Sequence, residues 1–274
     1  MPAEHRARKR FGQNFLVDDS VVEAIAGAVA PRPGDRMVEI GPGLAALTRA
    51  LLARLDPSSQ PLHVIEIDRD LVARLRRDFA ADELQIHEGD VLDFDFADLS
   101  RQAQGALRIV GNLPYNISTP LLFHLAECAQ CVVDQHFMLQ REVVERMTAQ
   151  PGSSDFSRLS VMLQYRYAMS SVLDVPPEAF DPPPRVHSAV VRMLPHPAAA
   201  LTAIDERVFA EVVKDGFAQR RKMLRNTLAA HVRAIGGEAA AAALGVDLRA
   251  RAEDIAVSTW VALANAVVRA RAAG

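Results

Sequence analysis

Cysteine is almost missing from this 274-residue chain, which carries only Cys128 and Cys131. A chain this long with two thiols cannot rest on a disulfide framework. Long apolar runs are missing too. No stretch approaches the roughly 20 apolar residues that span a bilayer, and the N-terminus, Met-Pro-Ala-Glu-His-Arg-Ala-Arg-Lys-Arg, lacks the apolar run of a secretory signal. The expectation is a cytoplasmic chain with no membrane partner, whose residues 1–15 form a basic arm. His-Glu-x-x-His, phosphate-loop and nucleophile-elbow patterns are also absent. Cys128-Ala129-Gln130-Cys131 has the spacing of a zinc or redox pair, yet it has no second Cys pair and no matching His spacing. Inert cysteines and no metal are expected.

Half of the residues are hydrophobic and 24% are charged, which is enough to bury a sizeable core. The formal charge of −3 hides an asymmetry. Residues 1–10 carry a local +3 and residues 207–233 a local +5, against −11 over the remainder. Two basic patches on an acidic background suggest a polyanionic partner for those patches.

Strand and helix patterns alternate from Arg36-Met37-Val38-Glu39-Ile40 onward. Leu44, Leu47, Leu51 and Leu55 recur at helical spacing. The break Asp56–Pro61 stops that helix, and Leu62–Ile67 reads as the next buried strand. Further strands are expected at Leu84–His87, Leu107–Val110, Val132–Leu139, Ser171–Val175 and His187–Leu194. Helices are expected at Leu71–Phe79, Thr119–Ala126, Glu142–Met147 and Arg158–Tyr167. Seven strands with interleaved helices predict a three-layer α/β domain with a mostly parallel sheet. After Pro195-His196-Pro197 the strand signal ends. A boundary near residue 200 therefore divides domain 1–199 from an all-helical domain 200–274.

The chemistry begins at Gly41-Pro42-Gly43, between a strand and a helix, where glycines allow close backbone approach to a ligand. Glu66 ends the next strand, near the spacing at which a carboxylate accepts ribose hydroxyls. This fits a nucleoside cofactor, and Gly41-x-Gly43-x-x-Ala46 taken alone also fits a dinucleotide. Asp90, followed by Val91, comes to the same sheet edge; it can accept from an adenine amino group or serve as an ordinary turn aspartate. The segment that discriminates is Asn112-Leu113-Pro114-Tyr115, directly after a buried strand. Methylating an exocyclic amine requires drawing the nitrogen lone pair out of ring conjugation. The Asn112 side-chain oxygen and the Leu113 carbonyl can accept the amino hydrogens, Pro114 sets the turn, and Tyr115 offers a ring for stacking.

These segments resemble the class I methyltransferases that dimethylate adenine N6 in ribosomal RNA, and most closely their bacterial small-subunit (16S) branch. The likeness runs from about Arg8 to the C-terminus. Its markers are Arg8–Leu16, Glu39–Gly43, Asn112–Pro120, His136–Glu142, Pro176–Pro184 and Phe217–Lys222. The resemblance implies a Rossmann-like domain using S-adenosylmethionine without a metal. Gln13, Asn14 and Leu16 would lie over the methionine end beside Gly41 and Gly43, with Glu66 on the ribose and Asp90 and Val91 at the adenine. Asn112 to Tyr115 would hold the target base. Ala45 stands where many members have glycine. The implied substrate is a hairpin loop of 16S rRNA in the immature small subunit, and the implied state is a monomer.

A base inside a duplex cannot reach such a pocket, so the adenine must be flipped or looped out. Stacking on Tyr115 and on Phe180, in the Pro-stiffened loop, would offset the cost of extrusion. In the C-terminal domain Arg221 and Arg225 are four apart and predict one helical face, with Lys222 on its flank. Arg220 does not fit that helix, so a break is expected near Ala218–Arg220, exposing the cluster to RNA phosphates. Two other readings are an adenine methyltransferase acting on large-subunit rRNA or DNA, and a mainly non-catalytic assembly factor. Phe217–Lys222 with Pro176–Pro184 argue against the first, and the intact Asn112–Tyr115 against the second.

Overall fold

The computed structural model describes residues 13–56 and 61–273. The expected basic arm up to Gly12 and the centre of the Asp56–Pro61 break lie outside the described residues. The strands are β1 (Phe15–Leu16), β2 (Arg36–Ile40), β3 (Leu62–Glu66), β4 (Leu84–Glu88), β5 (Leu107–Asn112), β6 (Val132–Gln140), β7 (Tyr167–Val175), β8 (Phe180–Asp181) and β9 (Ser188–Pro195). The helices are α1 (Asp19–Val29), α2 (Ala46–Leu52), α3 (Arg69–Asp78), α4 (Phe96–Gln102), α5 (Ser118–Glu127), α6 (Arg141–Thr148), α7 (Arg158–Arg166), α8 (Glu206–Gly216), α9 (Leu224–Thr227), α10 (Ala229–Ala234), α11 (Glu238–Ala243) and α12 (Val257–Ala273).

As expected, seven strands form one sheet; their order is β4-β3-β2-β5-β6-β9-β7. The β4 to β6 ladders are parallel, whereas β9 runs antiparallel to β6. Continuous apolar runs suit strands buried on both faces. Leu62 and Val64 of β3 and Leu107, Ile109 and Val110 of β5 are all fully buried. The strand order reverses between β2 and β5, and this switch point opens a crevice beyond their carboxyl ends. At the opposite end of the strands, Arg108 hydrogen-bonds Asp134 and the carbonyls of Val29 and Ala30, and pairs with Asp35, fastening the end of α1 to the sheet.

Two compact units emerge, but not as a cut at residue 200. One runs to Val144 and resumes at Ala168–Pro195; the other comprises Glu145–Tyr167 and the chain from His196 onward. The segment containing α7 therefore belongs with the C-terminal unit. The reason is apolar: Phe156, Val161 and Tyr165 join Phe209, Leu224 and Trp260 in that unit's core. Gly216 of α8 lets Trp260 approach so closely that an added Cβ would lie 2.3 Å from the ring.

The expected break after α8 is present, as a 3-10 turn over Phe217–Gln219. The helical face expected for Arg221 and Arg225 is not. α9 starts only at Leu224, and the amides of Leu224 and Arg225 donate to the carbonyls of Ala250 and Leu248 rather than one turn back. Helix α2 also stops at Leu52, short of Leu55. Among the described residues, no helix is long and apolar enough to cross a membrane.

Candidate active site

The crevice at the switch point is a cavity of about 280 Å³. Gln13, Asn14, Gly41, Gly43, Glu66, Asp90, Val91 and the run Asn112–Tyr115 all line it. Gln13 and Asn14 come from the segment before β1, and the others arrive because a strand ends there: β2 delivers the glycine turn, β3 Glu66, β4 Gly89 and Asp90, and β5 the run from Asn112. The turn is tight. Gly41 and Gly43 have φ of +66° and +57°, and a Cβ on Gly43 would meet the Phe15 ring at 3.0 Å. Gly111 is equally constrained, since a Cβ there would come within 2.7 Å of the Ile40 carbonyl. Ala45 takes a left-handed conformation, φ +68° and ψ +28°, at the start of α2. That region disfavours any residue with a Cβ.

Glu66 is buried, and its carboxylate accepts the Asp68 amide at 2.9 Å. Burial raises its pKa above the ordinary carboxylate range, while hydrogen bonds from the Asp68 and Gly43 backbones pull it back. Asp90 is exposed and caps a short 3-10 turn through the Leu92 amide at 2.9 Å. The turn-aspartate reading thus holds for one of its oxygens, and its residue still faces the cavity. Asn112 donates its Nδ2 to the Asn14 carbonyl at 3.0 Å. This fixes which way the amide points and leaves Oδ1 as an acceptor. The Leu113 amide donates to Met138 at 3.1 Å, so Leu113 remains tied to the sheet beyond the end of β5. The Tyr115 hydroxyl and Ser188 Oγ lie 2.6 Å apart; burial raises the phenol's pKa and this bond lowers it.

Two expected positions differ. Phe180 does not reach the cavity: it is 3% exposed, in a core cluster with Leu16 and Val175. It is held there because β8 pairs with β1, opposing Phe180 to Leu16. Leu16 is turned into the same core and lines only a smaller cavity of about 40 Å³ behind the glycine turn. Residues not foreseen include Phe15, Ile67, Leu71 and Ile117, which give the larger cavity apolar walls. Ile67, 45% exposed beside Glu66, was detectable as an apolar residue at a strand's carboxyl end. Cys128 and Cys131 are free and lie outside both cavities. Burial pushes the Cys128 thiol up to about 12, the opposite of a reactive cysteine.

Residues 4–268 match the family model described as "Ribosomal RNA adenine dimethylase". The chain belongs to the ribosomal RNA adenine dimethylase family. It is similar to the "Ribosomal RNA small subunit methyltransferase A" of Burkholderia mallei (strain SAVP1), with 58% identity over 98% of this chain and 97% of the relative. The protein of that name from Paraburkholderia xenovorans (strain LB400) is also 58% identical, over 98% and 95%. Among solved structures, a dimethyladenosine transferase from Plasmodium falciparum matches with a TM-score of 0.73 and 22% identity, covering 91% of this chain and 95% of that one. The 23S rRNA methyltransferase ErmE matches at 0.67 and 24%, covering 93% and 100%. At those identities the two structures speak for the fold alone. One cavity thus gathers the Glu66 and Asp90 carboxyl groups and the Asn112 side-chain amide.

The exposed cluster Arg220, Arg221, Lys222 and Arg225 lies in the other unit. Arg220 pairs with Glu253 at 3.2 Å, and Arg225 is on α9.

Proposed function

We propose that this adenine dimethylase uses S-adenosylmethionine to convert two adjacent adenosines in a hairpin loop near the 3′ end of 16S rRNA to N6,N6-dimethyladenosine, working in the cytoplasm as a monomer on the immature small subunit. The observation that carries the reading is the orientation of Asn112. With Nδ2 committed to Asn14, its Oδ1 is presented as an acceptor in the cavity that Glu66 also lines.

The residues fit the cofactor. Gly43 has no room for a side chain beside Phe15, which suits a backbone cradle, and Gln13, Asn14 and Gly41 adjoin it. Glu66 is the acceptor for ribose hydroxyls, and Asp90 has a second oxygen for an adenine amino group. When bound, S-adenosylmethionine supplies an electrophilic methyl on its sulfonium. The protein's part is positioning and hydrogen bonding. Asn112 Oδ1 and the Leu113 carbonyl each accept one amino hydrogen, favouring a pyramidal nitrogen whose lone pair is free to attack. No strong base is required, because the amine becomes acidic as the new bond forms and its proton passes to solvent. In the second transfer one hydrogen is gone, so a single acceptor is used and the first methyl occupies the space beside Asn112.

Tyr115 is the stacking ring, held at its hydroxyl by Ser188. Base–aromatic stacking of about 1–3 kcal/mol is comparable to the cost of extrusion. Arg220, Arg221, Lys222 and Arg225 contact RNA phosphates. The test is nucleoside mass spectrometry after incubating the purified protein with unmethylated small subunits and S-adenosylmethionine. N6,N6-dimethyladenosine is the expected product; unmodified adenosine at the target would refute the proposal.

A further inference from the structure

The smaller cavity, behind the glycine turn, holds a polar demand that the methyl-transfer chemistry does not use. His136 on β6 is 2% exposed, and among the described residues neither of its ring nitrogens has a hydrogen-bond partner. A neutral imidazole donates from one nitrogen and accepts at the other, and leaving such a group buried and unpaired costs about 1–3 kcal/mol. His136 lines a space of about 40 Å³ that Glu39, Gly41, Gly43 and Asn112 also line.

Sheet register explains how the polar groups meet. Glu39 opposes Val110, and Val110 opposes His136, so both polar side chains rise from one row with a valine between them. Two strand spacings put their backbones roughly 10 Å apart, wide enough for a bridge. Glu39 is itself 2% exposed, and one carboxyl oxygen accepts the Thr48 hydroxyl at 2.6 Å. A water occupies about 10–15 Å³ of such space and needs two to four polar partners.

We infer that this cavity is a hydration site, in which one or two ordered water molecules bridge the His136 imidazole to the Glu39 carboxyl and brace the glycine turn from behind. Burial pushes the Glu39 carboxyl up to about 7, with Thr48 lowering it and Glu66 raising it. Burial also holds His136 below the usual imidazole range, with Asp134 raising it and Arg108 and Arg192 lowering it. Near neutrality this disfavours a direct ion pair and suits a neutral dipole between them.

The experiment is crystallography of the wild-type protein alone, at a resolution that reveals ordered solvent, with a parallel crystal under xenon. Solvent peaks within hydrogen-bond reach of His136 and Glu39, and no xenon, are expected. Xenon in the cavity, or no ordered solvent there, would overturn the site, and neither readout involves the cofactor. The bracing role has its own readout, calorimetric binding of S-adenosylhomocysteine. His136→Gln keeps a polar partner and should bind within about twofold of wild type, whereas His136→Leu should bind about tenfold more weakly, the loss of one net hydrogen bond. Wild-type affinity in His136→Leu would overturn the bracing.

Discussion

Replacing Asn112 by alanine removes two things at once. The first is the Oδ1 acceptor for the reacting amine, a hydrogen bond to a group that gains positive charge as the methyl transfers. Bonds to charged groups are worth about 1.5–3 kcal/mol. The second is the 3.0 Å bond from Nδ2 to the Asn14 carbonyl, which links the segment before β1 to the end of β5. A neutral bond of that kind contributes about 0.5–1.5 kcal/mol. Together they predict a loss of about 2–4.5 kcal/mol, or roughly 30- to 2,000-fold at 1.4 kcal/mol per decade. Because only the first part acts in the transition state, the larger share should fall on kcat. The assay is single-turnover transfer of a radiolabelled methyl to unmethylated small subunits, alongside calorimetry with S-adenosylhomocysteine. The expected result is a rate about 10- to 150-fold down, from the acceptor's share alone, with affinity changed by less than about tenfold. Asn112→Ala turning over within threefold of wild type would refute the acceptor argument, and a loss confined to affinity would make Asn112 a cofactor residue alone.

Ala45→Gly should leave stability within about 1 kcal/mol of wild type: relief of the left-handed alanine gains about 1–2 kcal/mol, offset by the freer unfolded glycine at about 0.4–1 kcal/mol and by the methyl lost from the core, where Ala45 is 2% exposed, at about 0.8 kcal/mol. A loss of more than about 2 kcal/mol in urea melts would contradict it. Arg221→Ala with Lys222→Ala should reduce the slope of log affinity against log salt for the RNA by about 1.5, at roughly 0.7–0.9 per phosphate contact; an unchanged slope would return that patch to solvent. His63 is buried against His87, with rings 5.3 Å apart, and its pKa is lowered from 6.5 to about 4. Its folded pKa lies below its unfolded one, so the stability it contributes is complete above about pH 6.5 and is lost as the pH falls toward 4. Linkage puts the loss at about 2 kcal/mol between roughly pH 7.5 and pH 5. Urea melts of wild type and His63→Phe should differ by that amount in their pH dependence, and parallel curves would exclude His63 as the source.

The seven-stranded sheet and the cavity's polar ring were legible because each depends on local pattern. Apolar runs mark strands buried on both faces, and the glycine turn, Glu66, Asp90 and Asn112 each follow one of those runs. What escaped depends on pairing between distant parts of the chain. Phe180, in a loop stiffened by prolines, suggested an exposed stacking ring, but the β1–β8 ladder turns it into the core, and nothing near Phe180 announces Leu16 as its partner. The Arg221–Arg225 face failed for the same reason, since Leu248 and Ala250 capture the amides that would have continued the helix. The role of the α7 segment likewise depends on core partners that appear only after residue 200.

The interleaving of the two units bears on how the molecule is made and dissected. A stop codon after residue 199 would not liberate a self-sufficient catalytic fragment, because Phe156, Val161 and Tyr165, now at most 6% exposed, would lose the side chains that cover them. During synthesis that greasy segment must likewise wait for later helices to emerge before it has anything to pack on. Grafting the helical unit onto another scaffold would require three splice points, at 144/145, 167/168 and 195/196.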